Sequence, residues 1–188
     1  KILGTRVARL DTPVKVDGSA KFGIDVAVEN LSVALIARSP VFGGTVASFD
    51  ATKAKAVRGV RMVVQVSSGV AVVAETWWQA KTALDALVIT WDDGPNKGHS
   101  TVAFNEVLKE GLTSAKDVFV GNKAGDLAAG LAAGAEEVEA VYGYPHQHHA
   151  TLEPMNATAI WTADKCEVWC PTQNGEAALA AAAEASGL

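Results

Sequence analysis

The stretch Gly143–Asn156, GYPHQHHATLEPMN, sets three histidines, a glutamine, a glutamate and two prolines within fourteen residues. Imidazoles and carboxylates bind metals and carry protons, whereas an amide is a neutral donor and acceptor. On an extended backbone His146 and His148 share one face and His149 points to the other. A zinc site takes three or four such ligands. Glu153 or His99 could complete one, yet nothing in the spacing selects either, so a His-cluster metal-binding protein stands as one alternative. Nucleophilic catalysis has no marked centre, because no Gly-x-Ser-x-Gly occurs and both cysteines fall on a plain strand. There is no P-loop and no Gly-x-Gly-x-x-Gly; GDLAAGLAAG has the wrong spacing and no lysine. Taken alone, these residues leave the chemistry open.

Cys166 and Cys170, in KCEVWCPT, form a Cys-x3-Cys pair rather than the Cys-x2-Cys of zinc and redox sites. Four strand steps span roughly 13 Å. A disulfide needs α-carbons within about 7 Å. The two are therefore expected to be ordinary strand thiols, unpaired with each other.

The elements that must position the polar stretch follow from periodicity. LSVALIARSP predicts a half-buried strand ended by Ser39–Pro40, and VRMVVQV and GVAVVAE predict two more, the last buried on both faces. VKVDGSAKFGIDV predicts two short extended runs about a turn at Asp17–Gly18. Asp50 is a candidate N-cap for a short helix over DATKAKAV. Thr76 caps a helix over TWWQAKTALDAL, with Trp77, Ala80, Leu84 and Leu87 on one face; the tryptophans are expected in the core. VITWDDGPNKG reads as a strand and turn, and Gly94–Gly98 as a linker. Helices follow over TVAFNEVLKEGL and DLAAGLAAGA, the latter weakened by glycine. EEVEAVYGY alternates as a strand entering the histidine stretch. NATAIWT and KCEVWCPT predict a hairpin around Ala163–Asp164, and GEAALAAAAEASG a final helix.

Composition sets the outer limits. The chain has 188 residues, 49% of them apolar, enough to bury a core in one domain or two small ones. A net charge of -5 argues against non-specific nucleic-acid binding, which needs neutralising lysines and arginines. No apolar run reaches the roughly 18 residues of a membrane span. The chain begins KILGTR, without methionine or signal-peptide pattern, and stops at EASGL after an alanine-rich helix. Both ends read as those of a segment of a longer protein.

HATLEPMNATAIW followed by EVWCPTQN resembles the molybdenum-binding large subunit of the xanthine dehydrogenase and aldehyde oxidase family. The matching positions are His149, Ala150, Glu153, Pro154, Ala159, Thr172 and Gln173, and the Glu-Pro-Met-Asn wording is most similar to the branch of isoquinoline 1-oxidoreductase β chains. Upstream, KVDGSAKFGIDV, ARSP, SFDATKAKAVRGV, VAVVAETWWQAKTAL and VITWDDG resemble, in order, the α/β hammerhead domain of this family. The resemblance implies an α+β chain: an α/β hammerhead domain over residues 1–94, a connecting helical segment over 95–134, and the start of a molybdopterin-binding domain over 135–188.

The same resemblance implies a bacterial hydroxylase that oxidises an aldehyde or N-heteroaromatic small-molecule substrate with oxygen from water. Electrons would pass from a molybdopterin cytosine dinucleotide carrying molybdenum to a 2Fe–2S centre on an iron–sulfur small subunit. That cofactor holds its metal through a pterin dithiolene, so no protein metal ligand is implied. Gln147 corresponds to a glutamine that hydrogen-bonds an oxo ligand of molybdenum in xanthine dehydrogenase-like relatives, though the isoquinoline branch varies there. Gln173 is the second cofactor-binding candidate, either near the pterin or holding its turn. Glu153 is expected to be a structural acceptor. The family's Gly-Gly-x-Phe-Gly motif and catalytic glutamate are not in this sequence, so no catalytic residue is assigned and the segment alone is expected to be inactive without the remainder of the large subunit. A non-catalytic hammerhead-like assembly module is the rival reading. Substrate, electron acceptor and compartment (bacterial periplasm or cytoplasm) are left open.

Overall fold

A computed structural model describes residues 2–114, 116, 119–134 and 136–188. In chain order the elements are α1 (Thr12–Val16), β1 (Val33–Ala37), β2 (Thr45–Asp50), α2 (Thr52–Lys55), β3 (Val60–Val66) and β4 (Gly69–Ala74). Then come α3 (Trp77–Asp85), β5 (Val88–Asp92), α4 (Thr101–Thr113), α5 (Leu127–Ala132), β6 (Thr158–Trp161), β7 (Cys166–Trp169) and α6 (Gly175–Ser186). The fold is α+β. It comprises two compact units: Ser32–His148, and Lys1–Leu31 together with His149–Leu188. Among the described residues no helix is long and apolar enough to cross a membrane.

In the unit Ser32–His148, an antiparallel sheet of order β1-β4-β3 puts the most apolar strand in the middle. Val72 pairs with Leu35 on one side and Val63 on the other. Val70 and Val72 are fully buried, each contributing about 1.5–3 kcal/mol of apolar burial. Ala54 of α2, Val72 and Ala83 of α3 form the core, with Val57, Val60, Val63, Leu84 and Leu87 against it. Thr76 starts α3 with a capping box, its hydroxyl accepting from Gln79 N–H while the Gln79 side chain reaches back to Thr76 N–H. Strands β2 and β5 form a second antiparallel ladder with a bulge between Val46 and Ser48. Gly69, at φ +151°, closes the β3–β4 hairpin where any β-carbon would meet the Ala37 carbonyl of β1.

In the other unit, β6 and β7 pair antiparallel from Thr158↔Trp169 to Trp161↔Cys166. Thr162 N–H donates to Lys165 O at 2.8 Å across the turn, and α6 packs against β7. The helix is capped by Asn174 Oδ1, which accepts from Ala177 N–H at 3.0 Å.

Four expectations need correction. Val14–Val16 is helical rather than extended, because Pro13 in the first turn and the Asp11–Lys15 pair favour a helical start; the second run folds as a 3-10 turn over Gly23–Asp25. Ala51, not Asp50, occupies the N-cap of α2, although the Asp50 carboxylate accepts from Thr52 N–H at 2.8 Å and Thr52 Oγ1–H at 2.6 Å. Trp77 and Trp78 are 52% and 70% exposed rather than in the core, since Ala80 and Ala83 take the buried face. No strand forms among the described residues from 136 to 157. Pro145 and Pro154 remove ladder donors there, and Ala150 sits at φ +48°.

Candidate functional site

Glu153 is the most constrained member of the opening stretch. Its Oε1 accepts from Ile24 N–H at 3.0 Å and from Asn156 Nδ2 at 3.0 Å. Asn156 Nδ2 also donates to Pro154 O at 2.8 Å, and Thr151 Oγ1 to Glu153 O at 3.0 Å. Ile24 belongs to the 3-10 turn Gly23–Asp25, which Asp25 closes by accepting from Phe22 N–H at 3.0 Å. One half-buried carboxylate oxygen thus ties together backbone segments 129 residues apart. Gly23 permits the approach: a β-carbon there would lie 2.8 Å from Pro171 Cδ and 2.9 Å from Asn156 Oδ1. That Oδ1 is itself buried without a hydrogen-bond partner among the described residues. Glu153 is therefore a structural acceptor, satisfying a backbone donor as anticipated.

Gln173 precedes the Asn174 cap of α6 and is exposed. Thr172 Oγ1 accepts from Asn174 N–H at 3.0 Å and donates to Asn174 O at 3.1 Å, which sets the turn without using the glutamine amide. Cys166, on β7, and Cys170, just beyond it, are free, half-buried thiols.

In the unit Ser32–His148, Gln147 is exposed on irregular chain between His146 and His148. Among the described residues neither its amide nor that of Gln173 has a hydrogen-bond partner. The His146 ring stands edge-on to Phe104 of α4, with centroids 5.7 Å apart and planes at 73°. Beside it, α4 and residues 140–145 border an open groove of about 780 Å³ lined by Leu108, Lys109, Leu112, Tyr142 and Tyr144. Among the described residues, no three His, Cys, Asp or Glu side chains stand close enough to hold a metal ion. His146 packs on an aromatic ring.

Hydrogen bonding lowers the pKa of three aspartates. Hydrogen bonds from the Thr52 hydroxyl and Thr52 N–H hold Asp50 below the usual carboxylate range; Ser19 does the same for Asp17, and Lys15 foremost for Asp11. Sequence reasoning overlooked Asn156, Gly23 and Phe104. Only Asn156 carried a signal, as an Asn placed to bond back to the backbone beside a proline.

Residues 112–188 match the molybdopterin cofactor-binding domain family. The chain is 27% identical over 183 residues to the beta chain of isoquinoline 1-oxidoreductase from Brevundimonas diminuta, a match covering 92% of this chain and 23% of that one. It is 26% identical over 182 residues to a subunit of nicotinate dehydrogenase from Pseudomonas putida, covering 93% of this chain and 15% of that one. The chain thus spans less than a quarter of the length of these curated relatives. The solved quinoline 2-oxidoreductase of Pseudomonas putida 86 shares the fold, with a TM-score of 0.67 at 20% identity over 100% of this chain and 29% of that one. The HATLEPMN and CPTQN segments lie inside the matched residues, so it is residues 112–188 that are similar to the cofactor-binding domain of molybdopterin enzymes.

Proposed function

We propose that this chain contributes to the cofactor site of a molybdenum hydroxylase large subunit, with Gln147 and Gln173 as its cofactor-binding side chains. The cofactor is molybdopterin cytosine dinucleotide carrying molybdenum, which when bound supplies a two-electron oxidation that places oxygen from water on a carbon beside nitrogen or oxygen. The substrate is an aldehyde or an N-heteroaromatic, and a 2Fe–2S centre on an iron–sulfur small subunit takes the electrons. Residues 1–94 serve as the α/β hammerhead, 95–134 as the connection and 135–188 as the first part of the cofactor domain, which the remainder of the large subunit completes.

The contrast between one carboxylate and two amides carries this reading. Glu153 is committed to Ile24 and Asn156, whereas the Gln147 and Gln173 amides are exposed and uncommitted. A cofactor that brings its own metal ligands needs neutral donors from the protein rather than an imidazole cluster. That donor set is what the two glutamines offer. Gln147 Nε2–H can strengthen its bond as charge grows on the acceptor, without adding a titrating group. Gln173 stands at the amino end of α6, where unpaired N–H groups leave partial positive charge.

The test is Gln147→Ala in the large subunit that carries this chain. A donor used mainly in the transition state lowers kcat more than it raises KM, here by about 10²–10³-fold. Full molybdenum content with unchanged kcat would overturn the assignment.

A further inference from the structure

We propose that Phe104 is a positioning residue for Gln147, acting through His146. The inference rests on the reading of Gln147 given above and extends it to the helix behind the site. No strand ladder holds the backbone between 136 and 148 and Gln147 itself is exposed, so packing of its neighbours is what can hold it in place. The aromatic contact nearest to it is the edge-on meeting of His146 with Phe104, at 5.7 Å. Phe104 is fixed independently of that contact. Ser100 caps α4, accepting from Ala103 N–H at 3.1 Å, which makes His99 the residue before the cap and Phe104 the fourth helical residue. Their rings meet at 5.1 Å, in the place of a hydrophobic staple. His99 N–H in turn donates to Asn96 O at 2.9 Å, and Asn96 Nδ2 donates to Phe42 O at 2.8 Å. A continuous chain of contacts therefore runs from the loop preceding β2, through the turn Gly94–Gly98 and the first turn of α4, to the residue beside Gln147.

The experiment uses the large subunit carrying this chain, with and without cofactor, and the variants Phe104→Leu, Phe104→Tyr and His146→Ala. Limited proteolysis within residues 141–148 of the cofactor-free protein reads the clamp directly. Losing one aromatic pair is expected to speed cleavage there about two- to tenfold in Phe104→Leu and His146→Ala. Phe104→Tyr should keep the wild-type rate, and β4 should stay uncleaved throughout. In the loaded enzyme, Phe104→Leu should lower kcat with molybdenum content unchanged, and should add nothing in a Gln147→Ala background. His146→Ala removes the same contact from outside the helix, so a fold defect in Phe104→Leu leaves the test standing. Unchanged cleavage in both variants overturns the clamp. Faster cleavage with an additive kcat loss in the Gln147→Ala background overturns its action through Gln147. If Gln147→Ala itself leaves kcat unaltered, the reading of the cofactor site fails while the cleavage result still decides the clamp.

Discussion

Replacing Glu153 by Gln separates a structural carboxylate from a chemical one. In the wild type a single ionised oxygen accepts from Ile24 N–H and Asn156 Nδ2, both at 3.0 Å. Hydrogen bonds to a charged acceptor contribute about 1.5–3 kcal/mol, against about 1 kcal/mol between neutral groups. The glutamine oxygen can occupy the same place, so Glu153→Gln downgrades two bonds without orphaning either donor. Because Glu153 is only half-buried, water offsets part of the loss, and the expected destabilisation is about 1–2 kcal/mol. Glu153→Ala leaves Ile24 N–H unpaired, whereas Asn156 Nδ2 keeps Pro154 O. Its cost should be higher, about 2–4 kcal/mol. Urea unfolding of the large subunit, followed with its molybdenum content, measures both. Surviving folded Glu153→Gln enzyme should turn over normally. A variant that folds with wild-type stability, holds its cofactor and is inactive would show that Glu153 belongs to the chemistry and that its contact with Ile24 is incidental.

Gly23→Ala should destabilise the same clasp by about 1–3 kcal/mol through overpacking, because the new methyl lies 2.8 Å from Pro171 Cδ; an unchanged urea midpoint would refute it. Asp50, held below its ordinary pKa of 3.8 by Thr52, contributes stability that is present above the unfolded pKa and lost as pH falls through the folded one. Unfolding titrations between pH 7 and pH 3 should therefore show a smaller acid loss in Asp50→Asn than in wild type. The isolated 188-residue chain should bind no stoichiometric molybdenum and oxidise neither aldehydes nor N-heterocycles, as metal analysis and turnover assays of the purified chain can check.

Where local chemistry decides structure, the sequence was readable. Thr76 and Gln79 form the capping box that a Thr before a helical period announces, and the unbroken apolar run at β4 became the central strand. The hairpin from Thr158 to Trp169 turned where Ala163–Asp164 indicated. The tryptophans were misplaced because helical phase was set from Trp77. At about 100° per residue, a face centred on Ala80, Ala83, Leu84 and Leu87 leaves Trp77 at its edge and Trp78 opposite, in agreement with their exposures. Alternation in EEVEAVYGY likewise pointed to a strand, but alternation supplies no pairing partner, and Pro145 and Pro154 withdraw donors that a ladder needs.

The candidate site divides along the same line. A Glu before Pro could be read as a backbone acceptor from its residue type, and it is one; that its donor is Ile24, 129 residues away, is long-range information that no window contains. The density of histidines left a ligand cluster open as an alternative, because composition counts residues without their directions. Ala150 at φ +48° and two prolines break the extended backbone that would have aligned alternate side chains. His146 consequently spends its ring on Phe104 rather than on a shared ligand position. What the stretch still presents to solvent at Gln147 is a neutral amide, a donor that does not compete with a cofactor's own ligands for its metal. Under the proposed reading, a stretch rich in imidazole offers its cofactor an amide, packing having claimed His146 on one side of it.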